Sequence, residues 1–284
     1  MNAWIFTLFA RFRGQISIDC FVVAAIRRIP QECSMSSIFS FAFAGMVAGV
    51  HQPGLPADKP ILIVLTSHGV KGDTGQPTGF YLGEVTHPLS VFEAAGLKVE
   101  FASVQGGEPP VDGLDLDDPV NARYWNDETF RAAIRSTPSV DSIDPSRYAA
   151  VLYAGGHGTV WDFPDSAGVQ RIGRDIYEAG GVVGAVCHGP SALVNLKLSD
   201  GRYLVEGKQV AAFTDDEERA VKLEHVVPFL LASSLQQRGA IHRPAGNWQA
   251  QVVTDGRLVT GQNPQSAHSV GEAIVEALRE IAKR

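Results

Sequence analysis

An α/β fold is predicted, as a three-layer sandwich around a mostly parallel sheet. Three observations carry this. Short apolar runs (Ile61 to Leu65, Val151 to Tyr153, Val182 to Val186) read as strands covered on both faces. They alternate with amphipathic segments of helical period, the pattern of parallel strands joined by helices. Several runs end at once in glycine-rich turns, as at Ala154 to Gly158 and Cys187 to Gly189.

In order, Pro60 to Thr66 is predicted as a buried strand, followed by a glycine-rich loop from Ser67 to Gly79. Phe80 to Ala95 has apolar residues at helical spacing, and Gly96 closes that helix. Lys98 to Ser103 alternates like a strand. Gln105 to Asp118 reads as an acidic, solvated loop rather than a calcium site. Asn126 to Arg135 is a short helix capped by Asn126 or Asp127. Tyr148 to Tyr153 is a strand, Gln170 to Ala179 a helix, and Val182 to Val186 the central strand. Pro190 to Asn195 begins the next helix, since Pro suits a first helical turn. Gly201 to Val210 holds a turn and a strand, and an acidic first turn opens a helix after Phe213. A helix over Val226 to Gln237 and a hairpin about Asp255-Gly256 follow. Ser266 to Ala282 closes the chain as an amphipathic helix.

The 284 residues are 45% hydrophobic and 19% charged, enough for one α/β domain of about 220 residues. A net charge of −7 argues against a nucleic-acid partner. Cys20, Cys33 and Cys187 are too few and too scattered for a disulfide framework, so a reducing, cytoplasmic setting is predicted. Residues 1–58 differ in character and are assigned as an N-terminal extension, with 59–284 as the domain. Ser36 to Val50 is too short to be a membrane-spanning helix and matches the apolar part of an export signal. Three readings stand: a true start at Met35 or Met46, an export signal from near Met35 or earlier, or an arm packed on the domain. No stable membrane insertion is expected.

Cys187 stands where the central strand stops and a helix is predicted to begin. This is the geometry of a nucleophile elbow, and a helix N-terminus would favour the thiolate. His188 is adjacent. Glu84, early on the first helix, would point over the same crevice, where a neighbouring thiolate would tend to keep it protonated as a donor to sulfur; the alternative is that it acts as a base. Glu218 could orient His188, as could Asp215, Asp216 or Glu217. The loop of Gly156, His157 and Gly158 could offer amides to an oxyanion. The spacings of His157, His87 and His68 match no metal motif, so neither metal nor cofactor is predicted.

On these residues the chain resembles the ThiJ/PfpI superfamily, in its glyoxalase III and heat-shock chaperone branch. The matching stretches are Thr78 to Glu84, Ala154 to Pro164 with Gly-His-Gly-Thr and Trp-Asp-Phe-Pro, and Gly181 to Pro190. Gly207 to Thr214 and Leu258 to Ser269 complete them. The resemblance implies a flavodoxin-like, class I glutamine-amidotransferase-like fold. It also implies Cys187 as nucleophile, with Glu84, His188 and Glu218 as its partners. The implied activity is cofactor-free conversion of methylglyoxal, a small dicarbonyl, to D-lactate, in a protein that is often a homodimer. An amidase using the same Cys-His pair, and a non-catalytic holding chaperone or oxidation sensor, are the alternatives.

Overall fold

The computed structural model describes residues 59–284, so the expectations for residues 1–58 lie outside the described residues. Ten strands are described: β1 (Ile61–Leu65), β2 (Phe80–Tyr81), β3 (Val99–Ser103), β4 (Val111–Asp112), β5 (Ala150–Tyr153), β6 (Val182–Val186), β7 (Gln209–Val210), β8 (Ile241–His242), β9 (Val252–Asp255) and β10 (Leu258–Gly261). Eight helices accompany them: α1 (Gly83–Ala94), α2 (Pro119–Trp125), α3 (Glu128–Arg135), α4 (Thr159–Asp162), α5 (Ala167–Glu178), α6 (Asp215–Ala220), α7 (Leu231–Gln237) and α8 (Ala267–Ala282).

The main sheet has the order β3-β1-β5-β6-β10-β9, parallel except for the final β10–β9 hairpin. Its central strands β1, β5 and β6 are apolar and fully buried because both faces are covered, whereas β3 and β9 carry Glu100 and Asp255. Alternate side chains divide between two cores, as the period of a strand requires. Leu62, Val64, Val151, Tyr153, Val183 and Ala185 pack on one side with Val169, Ile172 and Ile176 of α5. Ile61, Ile63, Leu65, Leu152 and Val182 pack on the other with Phe92 of α1 and Ile274 and Leu278 of α8. The predicted three-layer sandwich is therefore what forms.

Several boundaries differ from the sequence reading. The helix expected over Phe80 to Ala95 begins at Gly83, because Phe80 and Tyr81 pair with Val111 and Asp112. That pairing also gives the acidic loop a short strand. Helix α2 was not anticipated; Asp118 caps it and Pro119 fills its first turn. Helix α7 starts at Leu231 rather than Val226, consistent with Pro228 disfavouring helix just before it. The segment after Cys187 is a five-residue 3-10 turn, Gly189–Leu193, rather than an α-helix. This correction matters for the chemistry of the thiol. Among the described residues no helix is long and apolar enough to cross a membrane.

Candidate active site

The parallel strands all point their carboxyl ends at one rim, where open α/β sheets bind ligands. Cys187 follows β6 there with φ of 59°, a left-handed backbone unusual for a residue with a Cβ. Two backbone hydrogen bonds hold this conformation. The Cys187 amide donates to the Gly261 carbonyl at 2.9 Å, and the Phe213 amide donates to the Cys187 carbonyl at 2.9 Å. The elbow is thus clamped by the ends of β10 and of the segment leading to α6.

His188 turns back beside the thiol, with Nδ1 3.4 Å from Cys187 Sγ. Its Nε2 lies 2.8 Å from Glu218 Oε2. Burial would raise the Glu218 carboxyl, but hydrogen bonds from His157 and His188 outweigh it and hold the group down at about 2. An ionised carboxylate only accepts, so His188 carries its proton on Nε2 and turns the Nδ1 lone pair toward sulfur. Burial, with His157 close by, pushes the His188 imidazole down to about 4, so it rests neutral. The other acids considered from the sequence are used elsewhere. Asp215 bonds to Ser233, Asp216 to Arg219, and Glu217 is buried among neutral donors.

Glu84 is fully buried on the first turn of α1. Neither of its oxygens has a partner of full hydrogen-bond geometry, although the Cys187 thiol and the Gly155 amide face it. Burial pushes this carboxyl up to about 8, so it rests protonated at neutral pH. Burial and the neighbouring Glu84 in turn push the Cys187 thiol well above its usual range. The expected helix-favoured thiolate is therefore replaced by a buried thiol, 4% exposed, with only a short 3-10 turn behind it.

The Gly155-Gly156 pair exists because backbone must pass very close to the site. A Cβ on Gly155 would lie 2.4 Å from Glu84 Oε2 and 2.5 Å from the Val186 carbonyl. Gly156 has φ of 103°, and a Cβ there would lie 2.2 Å from the Gly79 carbonyl. The loop brings His157 onto the site, but its ring faces Glu218, with Nε2 3.1 Å from Oε1. Gly158 opens α4.

All seven residues singled out from the sequence are thus at one strand-end rim. Sequence reading missed Phe213, whose ring lies 4.3 Å from that of His188, and Tyr81, whose hydroxyl is raised by burial and then by Glu84 and Cys187 nearby. It also missed Asp162, which joins the loop after β1 to α4 by accepting from Thr66 Oγ1 at 2.9 Å and the Ser67 amide at 2.7 Å. Burial pushes Asp162 up to about 7. The Trp-Asp-Phe-Pro stretch marked its neighbourhood without indicating this contact.

His157, His188 and Glu218 each offer a ligand atom within 4.8 Å of the others, so this trio is the set that could hold a metal ion among the described residues. A separate groove of about 850 Å³ lies along α1, β3 and α3, lined by Leu89, Phe101, Tyr124 and Phe130 among others. None of the residues around Cys187 lines it.

Fold and site together define an α/β protein with a buried Cys-His-Glu constellation at its strand ends. The pattern of the DJ-1/PfpI family matches residues 77–277, and the chain belongs to that family. It is 32% identical to glyoxalase 3 of Candida albicans over 229 residues, which is 76% of this chain and 97% of that protein. It is 33% identical to the glutathione-independent glyoxalase HSP31 of Saccharomyces cerevisiae over 239 residues, covering 78% and 99%. Among solved structures, glyoxalase III of Candida albicans superposes with a TM-score of 0.73 at 31% identity, covering 78% of this chain and 98% of that one. The rapid encystment protein of Francisella tularensis superposes at 0.75 with 38% identity, covering 78% and 99%.

Proposed function

We propose that this chain is a glutathione-independent glyoxalase that converts methylglyoxal to D-lactate through a covalent adduct on Cys187. The observation that carries the reading is the 3.4 Å approach of Cys187 Sγ to an unprotonated His188 Nδ1, beside a buried, protonated Glu84. Similarity to proteins named glutathione-independent glyoxalases supports the substrate class.

The steps follow from the protonation states. His188 Nδ1 takes the thiol proton as sulfur attacks the aldehyde carbon, and the resulting alkoxide takes that proton back, giving a hemithioacetal. The amides of Gly156, His157 and Gly158 make none of the inter-element backbone hydrogen bonds found among the described residues and are proposed to receive the transient oxyanion. His188 then removes the proton on the former aldehyde carbon while Glu84 protonates the ketone oxygen, forming an enediol. His188 returns its proton to the adjacent carbon. Glu84 recovers one from the first hydroxyl, leaving a thioester of a 2-hydroxy acid. Water cleaves the thioester, releases lactate and restores the thiol. One carbon is oxidised and its neighbour reduced, so methylglyoxal and water alone balance the reaction. Glu218 holds His188 in the tautomer required throughout.

The reading accounts for a cysteine that rests as a thiol. The nucleophile is generated only when His188 accepts the proton at the moment of attack, which limits adventitious oxidation. A cytoplasmic setting fits a free, reduced Cys187.

The test is incubation of the full chain with methylglyoxal in the absence of glutathione, with chiral analysis of the product. D-Lactate formed by the wild type and not by Cys187→Ala is expected. Absence of D-lactate from folded protein with a reduced Cys187 would overturn the proposal.

A further inference from the structure

One buried charge beside the site takes no part in these steps. Glu217 is fully buried, and its carboxylate is met by neutral donors. Its Oε2 accepts from the Thr214 amide at 3.0 Å and from Thr214 Oγ1 at 3.1 Å. Its Oε1 accepts from the Trp248 amide at 2.9 Å, Gln262 Nε2 at 3.1 Å and Asn263 Nδ2 at 2.9 Å. Five donors compensate a buried anion that would otherwise be costly. A helix cap explains only the Thr214 contacts, which form the capping box of α6. The other three reach to the end of β10 and to the loop between β8 and β9.

That loop contains Trp248, at φ of 62°, a left-handed conformation that disfavours a bulky side chain. Such a backbone persists only where surrounding contacts enforce it, and the Glu217 carboxylate supplies one at this residue's own amide. The Trp248 ring lies 5.8 Å from Phe213, and Phe213 lies 4.3 Å from His188 and 5.9 Å from His157. Exposure grades along this series, from fully buried His188 through Phe213 at 3% to Trp248 at 42%. Trp248 is therefore the solvent-side member of an aromatic series that ends on the imidazole beside Cys187.

We propose that Trp248 is a specificity-determining wall of the site and that Glu217 is the positioning residue that holds it there. The inference rests on the glyoxalase reading and names the substrate class more closely: 2-oxoaldehydes whose apolar substituent packs against the aromatic series. Glu217 acts through the loop and touches no reacting atom. Its charge sits one residue before Glu218, so the helix that orients His188 also fixes the wall.

The experiment is a double-mutant cycle on the full chain with Glu217→Gln, Trp248→Ala and their combination. Methylglyoxal and phenylglyoxal serve as small and large 2-oxoaldehydes. Losing an apolar wall raises KM by about tenfold for phenylglyoxal and less for methylglyoxal, with kcat nearly unchanged. Glu217→Gln shifts KM in the same direction, and the double variant is no worse than Trp248→Ala, because the lost wall leaves Glu217 nothing to position. Equal effects on both substrates, multiplicative effects in the double variant, or a fall in kcat alone would overturn the proposal. Should Glu217→Gln not fold, the two-substrate comparison on Trp248→Ala decides.

A second readout does not depend on turnover. The Trp248 amide donates to Glu217 and its half-exposed ring lies 5.8 Å from Phe213. Glu217→Gln should loosen that ring, so the fluorescence that Trp248→Ala removes should be quenched by acrylamide more readily in Glu217→Gln than in the wild type. If the wild type makes no lactate but this quenching increases, the glyoxalase reading fails and the positioning role stands. Unchanged quenching would overturn the positioning role.

Discussion

Replacing Glu84 by Gln keeps the shape of the side chain and removes its titration. Burial moves the Glu84 carboxyl from an ordinary 4.5 to about 8 in the folded protein. The unfolded chain releases this proton as the pH passes about 4.5, whereas the folded chain keeps it to about 8. The group's favourable share of stability is therefore fully present below pH 4.5 and is lost as the pH rises toward 8. Applied to that shift, linkage gives a loss below about 1 kcal/mol at pH 5 and about 3 kcal/mol at pH 7. Glu84→Gln lacks the loss, so its stability relative to wild type should rise by about 2–3 kcal/mol between these pH values. Chemical denaturation of both proteins at pH 5 and pH 7 measures it. Taking the difference between proteins removes Asp162, which titrates in the same direction but is common to both. Parallel stability curves would show that Glu84 is ionised in the folded protein and would refute its role as a resting acid.

Two further outcomes follow from the same geometry. The rate with methylglyoxal should be bell-shaped in pH, rising as His188 loses its proton near 4 and falling as Glu84 loses its own near 8; a profile still rising above pH 9 would remove Glu84 as the acid. Gly155→Ala should lose at least about tenfold in kcat/KM and about 1–3 kcal/mol in stability, read by steady-state kinetics and denaturation, because its Cβ would strike Glu84 Oε2 and the Val186 carbonyl.

The fold was legible because its signals are local. The central strands β1, β5 and β6 of the parallel sheet carry no charged residue, and the Asp255-Gly256 hairpin announces its own turn. Cys187 and His188 were legible for the same reason, standing where one such run stops. Glu84 and Glu218 were legible through family motifs, and Glu218 was separated from Asp215, Asp216 and Glu217 only by the folded geometry of α6. The two-residue strands β2, β4 and β8 escaped because they depend on a partner distant in sequence, as Phe80 depends on Val111. Phe213, Tyr81, Trp248 and Asp162 escaped because each acts through a neighbour far along the chain. The Thr214-to-Glu217 spacing is the signature of a capping box and could have shown Glu217 as the partner of the α6 cap Thr214. It could not have shown the three donors that arrive from beyond residue 247. The resting thiol was misjudged because sequence places a helix after the elbow, and burial, which decides the protonation of Cys187, is a tertiary property.

The most direct test of the central claim is the intact mass of the full chain, acid-quenched while turning over methylglyoxal without glutathione. The account predicts an added mass of one substrate molecule, mapped to the peptide containing Cys187 and absent from Cys187→Ala, which should make no lactate. Continued turnover by Cys187→Ala, or wild-type turnover with no such adduct under any quench, would contradict covalent catalysis by this cysteine.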